Sequence, residues 1–226
     1  MTPLLQLTQD IPIVFVSVSD PIAGGFVESL AKPGGNATGF TSIDYSMAGK
    51  WLELLKQFTP ELVRVAVIRD PRQVSGAGQL GAVQAVAPLL RVEVIPLGVQ
   101  EAAQIEQGIS AFAREPHGGL IVTTSPLAQV QRPLIVTLAA QHRLPAVYPY
   151  RLFTASGGLV SYGPDIVDEY RRAAGYVDRI LKGEKAASLP VQQPVKYELV
   201  INLTTAKALG IDLPTSVLAR ADEVIE

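Results

Sequence analysis

Residues 76–81, Gly76-Ala77-Gly78-Gln79-Leu80-Gly81, match the G-x-G-x-x-G spacing of a dinucleotide-binding loop. Glycines at these positions let the backbone approach a pyrophosphate and aim it at a helix N-terminus, and an acid some way downstream takes the ribose. Glu101 stands twenty residues past Gly81. The pattern would serve an NAD-dependent oxidoreductase. That chemistry requires the first glycine in the turn directly after a strand, and here Pro71-Arg72-Gln73-Val74-Ser75 intervenes. A flexible loop leading into a small-residue helix start explains the same residues and is the favoured reading.

A second set of polar residues lies just after short apolar runs. Ser17, Ser19 and Asp20 follow the run that begins at Ile11, and Thr123, Thr124 and Ser125 follow Leu120–Val122. Tyr148, Tyr150 and Arg151 close the next run, and Tyr162 the one after. Hydroxyls beside helix N-termini suit a carboxylate, an aspartate suits an amine, and tyrosines suit an apolar or aromatic body. Singly, Ser125 reads equally as a helix cap and Ser19-Asp20-Pro21 as a turn. As a set on one sheet edge they read as a binding cleft. The ligand contacts expected on this basis are Ser19, Asp20, Thr124, Ser125, Tyr148, Arg151 and Tyr162.

Other chemistries find little support. G-x-S-x-G, Walker A and H-E-x-x-H patterns do not occur, and there are no cysteines. The two histidines, His117 and His142, fall in connections at the opposite edge from the polar set, which argues against a zinc site or a Ser-His-Asp triad. The paired carboxylates Asp168-Glu169 and Asp222-Glu223 read as solvated helix faces. Nineteen basic against twenty-one acidic residues leave a net charge of −2, no footprint for nucleic acid or an anionic membrane. No metal or organic cofactor is expected.

The elements that must carry the polar set follow from the hydrophobic pattern. Arg64–Pro71, RVAVIRDP, holds four consecutive apolar residues with basic flanks, as expected of a strand buried on both faces and stopped by proline. Val92–Leu97, Leu120–Thr124, Ala146–Tyr150 and Leu159–Tyr162 repeat it, the first three at helix-length spacing, which makes a parallel α/β unit. Right-handed crossovers bring the strand carboxyl ends to one edge, where open α/β sheets bind ligands. Before this unit, strands are expected at Ile11–Val18 and Ala37–Thr41, and a helix capped by Asp44 or Ser46 with Met47, Trp51, Leu54, Leu55 and Phe58 inward. Helices are also expected over Gln79–Leu90, Ala102–Arg114 and, after Ser125-Pro126, a segment that Pro133 could break. Asp165–Lys182 is the clearest helix, with Ile166, Tyr170, Ala173, Val177 and Ile180 or Leu181 as its apolar stripe. Tyr197–Asn202 is a last strand.

This pattern divides into a hinged two-lobe arrangement: residues 43–163 as a complete α/β lobe, and 1–42 plus 164–226 as a partial lobe assembled from both ends of the chain. The stretches IPIVFVSVSDPIAGGFVESLAKPGGNATGFTS and GGLVSYGPDIVDEYRRAAGYVDRILKGEKAASLPVQQPVKYELVINLTTAKALGI closely resemble the ABC-transporter substrate-binding family that includes tryptophan and phenylalanine binders. The resemblance covers nearly the whole chain. It implies a type I periplasmic-binding-protein fold, an α/β architecture of two Rossmann-like lobes with parallel sheets joined by a hinge, in which 43–163 would be the C-terminal lobe and 1–42 plus 164–226 an incomplete N-terminal lobe. It also implies no catalysis, a small-molecule ligand closed between the two lobes, delivery to an ABC transporter permease, and a periplasmic location. Members usually begin with an export signal and the first strands of the N-terminal lobe. This sequence starts after them, so the resemblance implies a shortened lobe, with a sheet edge at strand 11–18 or 37–41 open to self-association.

Overall fold

A computed structural model describes residues 1–42 and 45–226. The chain divides into two compact units, Met1–Asp44 with Pro164–Tyr197, and Tyr45–Gly163 with Glu198–Glu226.

The first unit begins with α1 (Thr2–Leu7), β1 (Ile13–Val18) and β2 (Ala37–Thr41). The two strands pair in parallel as a sheet of their own, and Gln192 bridges to Phe40 beside β2. The second unit runs through α2 (Met47–Phe58), β3 (Arg64–Arg69), α3 (Val74–Leu90), β4 (Glu93–Gly98), α4 (Ala102–Phe112) and β5 (Gly118–Val122). It continues with α5 (Pro126–Val130), α6 (Arg132–Gln141), β6 (Ala146–Tyr148), α7 (Arg151–Ala155) and β7 (Val160–Pro164). The long α8 (Ile166–Leu181) returns the chain to the first unit, and β8 (Tyr197–Asn202), α9 (Leu203–Leu209), α10 (Thr215–Leu218) and β9 (Glu223–Ile225) finish it.

The second unit is built on one sheet of seven strands in the order β4-β3-β5-β6-β7-β8-β9. From β4 to β7 every pairing is parallel, so these strands end on one edge. The centre is dry: Val65, Ala66, Val67 and Ile68 of β3 and Leu120, Ile121 and Val122 of β5 are buried to within 1%. Each fully buried Val, Leu or Ile side chain among them contributes about 1.5–3 kcal/mol. Helix α2 lays Trp51, Leu52, Leu55 and Phe58 against the sheet, and the Trp51 indole N–H donates to the Tyr162 carbonyl at 2.7 Å. The mixed α/β, mainly parallel architecture is the expected fold class.

Several sequence expectations are corrected. Tyr197–Asn202 forms as expected, but in the seven-stranded sheet rather than in the first unit. Leu199, Val200 and Ile201 are buried, and the Asn202 N–H donates to Leu159 at 2.9 Å. An apolar run needs cover on both faces, and the seven-stranded sheet supplies it. Residues 198–226 therefore group with 45–163, and the chain crosses between units three times. On α8 the inward face is Glu169, Ala173 and Tyr176, whereas Tyr170, Val177 and Leu181 of the expected stripe are exposed. Glu169 is 2% exposed, so Asp168-Glu169 is not a solvated pair. Asp44, one of the expected caps of α2, lies outside the described residues. Ser46 occupies the N-cap position without a side-chain cap bond.

Candidate functional site

The G-x-G-x-x-G residues lie inside α3, whose first turn starts at Val74. None of the glycines sits in the strand-to-helix turn that a pyrophosphate needs. They serve packing instead: a Cβ at Gly76 would press on Arg69 at 3.3 Å, and one at Gly78 would overlap the Tyr45 ring at 2.6 Å. The dinucleotide reading is withdrawn on that geometry.

Gln79, between those glycines, takes part in the strand-end set. Its side chain is fully buried. Its amide oxygen accepts the Thr124 N–H at 2.9 Å, and its amide nitrogen donates to the Thr124 hydroxyl at 2.8 Å. The α3 helix thus clamps the chain where it leaves β5. One residue earlier, the Thr123 hydroxyl donates to the Ile68 carbonyl at 2.8 Å. One residue later, the Ser125 hydroxyl accepts the Ala128 N–H at 3.0 Å as the N-cap of α5, with Pro126 in its first turn. Thr124 and Ser125 are both buried.

Beside them, β3 is followed directly by Asp70, which is 2% exposed. Its carboxylate accepts the Arg72 backbone N–H at 3.0 Å and two guanidinium bonds at 2.9 and 2.8 Å. The Arg72 hydrogen bond holds the Asp70 carboxyl below its ordinary range, with burial opposing. Tyr162, on β7, is half-buried with its carbonyl fixed by Trp51. A Cβ at Gly163 would overlap the Pro149 carbonyl, so the two strand ends are in backbone contact. The second unit therefore gathers Asp70, Gln79, Thr124, Ser125 and Tyr162 along the carboxyl ends of its strands.

Two expected residues of that unit do not join this group. Tyr148 is 1% exposed and stacks on Phe153 with centroids 5.0 Å apart. Burial pushes its phenol well above the ordinary range, so Tyr148 is a core residue. Arg151 opens α7 and forms a bidentate pair with Glu223 of β9 at 2.7 and 2.6 Å, which raises its pKa further. Its charge is already matched.

In the first unit, β1 and β2 end together. The Ser42 N–H donates to the Val18 carbonyl at 3.1 Å, and the Ser42 hydroxyl donates to the Ser19 hydroxyl at 3.0 Å. The Asp20 carboxylate accepts the Ala23 N–H at 2.9 Å, which makes a tight turn of residues 20–23. Ser17, just before, adopts φ +57° and donates its hydroxyl to Glu169 Oε2 at 2.9 Å. Burial pushes Glu169 up to about 7, with the Ser17 bond and Arg172 opposing. Arg172 itself lies over the Phe40 ring and donates to the Gln192 amide at 3.3 Å.

Among the described residues, no group of three or more His, Asp or Glu side chains could hold a metal ion. Among those residues, too, no helix is long and apolar enough to cross a membrane. Sequence reasoning missed Gln79, the Asp70–Arg72 pair and Glu169. Asp70 follows the most obvious strand directly, and Glu169 falls three residues after Ile166 and four before Ala173, a helical spacing compatible with an inward stripe through Glu169 but set aside for the apolar Tyr170 beside it.

Residues 2–225 match the family model described as ABC transporter substrate binding protein. A tyrosine-binding protein of Clostridioides difficile (strain R20291) is 31% identical over 204 residues, which is 90% of this chain and 58% of that protein. The chain thus spans little more than half the length of that curated relative. Among solved structures, a conserved domain protein of Vibrio cholerae superposes with a TM-score of 0.88 at 27% identity, covering 98% of this chain and 74% of that one. The ABC domain in complex with L-Trp from Streptococcus pneumonia gives 0.87 at 26% identity, covering 98% and 76%.

Proposed function

The chain belongs to the ABC transporter substrate-binding protein family, and on that premise we propose that it captures an aromatic amino acid for delivery to a membrane permease. Such proteins bind solutes and are not enzymes. The observation that carries the choice of ligand is the pairing of relatives: one is a tyrosine-binding protein and another holds L-Trp. The strand-end chemistry agrees with it. Asp20 suits the ammonium of an amino acid, the hydroxyls of Thr124 and Ser125 suit its carboxylate, and Tyr162 suits an aromatic body. The family resemblance supports a periplasmic location and lobe closure around the solute. A ligand drives closure only through its higher affinity for the closed state.

The test is isothermal titration of the chain with L-tyrosine and L-tryptophan, repeated on Asp20→Ala and Tyr162→Ala. Weakened binding by variants that melt like the parent supports these contacts. Unchanged affinity in both removes them from the site.

A further inference from the structure

One feature of the first unit is costly and unexplained by packing alone. Between Phe15 and Val18, β1 advances three residues while β2 advances two, from Gly39 to Thr41. The extra residue makes a bulge, and it contains Ser17 at φ +57°. A left-handed conformation is unfavourable for a residue other than glycine, because its Cβ crowds the following carbonyl oxygen. Such a conformation persists only where its surroundings enforce it. Glu169 is the enforcing group at hand. One carboxylate oxygen accepts the Ser17 hydroxyl at 2.9 Å, and the other is buried without a hydrogen-bond partner. An apolar side chain on this inward face of α8 would avoid that desolvation cost but would offer Ser17 no acceptor.

The position of the bulge gives the pair its consequence. A slip of one residue in a strand exchanges its two faces. Without the bulge, Ser19 and Asp20 would each turn to the opposite side. Immediately after it the chain is tied by Ser42 to Val18 and to Ser19, and Asp20 closes its turn on Ala23.

We propose that Glu169 is a positioning residue: by accepting the Ser17 hydroxyl it pins the β1 bulge and so sets which way Ser19 and Asp20 face. This rests on the reading of that strand end as part of the solute site. The pinning acts through backbone conformation, so it separates two substitutions that both delete the hydroxyl. Ser17→Ala keeps the conformational cost and loses the tether. Ser17→Gly loses the tether and also most of the cost, since glycine takes positive φ readily.

The experiment is amide hydrogen exchange at Ala23, Gly24 and Ser42 in the ligand-free chain, with L-tyrosine titrated separately. Ser17→Ala and Glu169→Ala should speed exchange at these amides by about tenfold, the equivalent of a lost left-handed restraint. Ser17→Gly and Glu169→Gln, whose amide oxygen still accepts, should exchange within about threefold of the parent. Equal behaviour of Ser17→Ala and Ser17→Gly would overturn the proposal, and that comparison stands even if Glu169→Ala fails to fold. Where exchange quickens, L-tyrosine affinity should fall in the same variants; quickened exchange with unchanged affinity would overturn the link to Ser19 and Asp20. A parent chain that binds neither aromatic amino acid would refute the ligand assignment, while the exchange pattern still decides the role of Glu169.

Discussion

The pH dependence of stability should change when Glu169 is replaced by Gln. Glu169 is 2% exposed, and burial raises its pKa from 4.5 to about 7. The charged groups that bear on it are Arg172, which favours ionisation, and Asp168 and Asp165, which oppose it. Between pH 4.5 and 7 the native state therefore holds a proton that the unfolded chain has released. By linkage, this group's contribution is fully present below about pH 4.5 and is lost as pH rises through about 7. The shift corresponds to about 3 kcal/mol. Glutamine does not titrate. The stability of the parent minus that of Glu169→Gln should thus fall by about 3 kcal/mol between pH 4.5 and 8, on the order of 10 °C in melting temperature for a chain of this size. The assay is urea unfolding followed by far-UV circular dichroism at half-unit pH steps, taken as a difference so that the other carboxyls cancel. A flat difference across that range would refute the reasoning, because Glu169 would then ionise without penalty. A difference that grows with pH would mean that the carboxylate is stabilised by the fold.

Other substitutions test the remaining geometry. Gln79→Ala strands the Thr124 N–H and hydroxyl in a buried site, and should cost about 1–3 kcal/mol for each group left unpaired; urea midpoints at constant m-value measure it. Tyr148→Ala empties a core position stacked on Phe153 and should cost about 3–5 kcal/mol. Asp165, which accepts Lys196 at 2.7 Å and caps α8 on the Asp168 N–H at 3.0 Å, has its pKa lowered chiefly by Lys196. Its stabilisation is present above about pH 4 and is lost as pH falls through its depressed value, so Asp165→Asn should flatten the acid limb of the unfolding curve.

What was legible in the residues were the features with one dominant cause. The RVAVIR strand and Tyr197–Asn202 were recognisable because an apolar run of that length has few other uses. Ser125-Pro126 was recognisable because a cap followed by proline is local chemistry. The sheet that Tyr197–Asn202 joins was not legible, because strand pairing is decided by which neighbour can cover both faces. Tyr148 was misplaced for a related reason: a tyrosine ending a strand reads the same whether it faces solvent or packs under Gly158. Gln79 was hidden by the glycines around it. Glu169 was hidden by its neighbour Asp168, since adjacent acids suggest a wet helix face until the inward stripe is placed one residue away from where the apolar residues suggest.

The measurement that bears most directly on the central claim is calorimetric titration of the purified chain with L-tyrosine, L-tryptophan and NAD in turn. The account predicts saturable binding of at least one aromatic amino acid at one site per chain, and no saturable heat with NAD. Saturable binding of NAD, with neither amino acid bound, would contradict it.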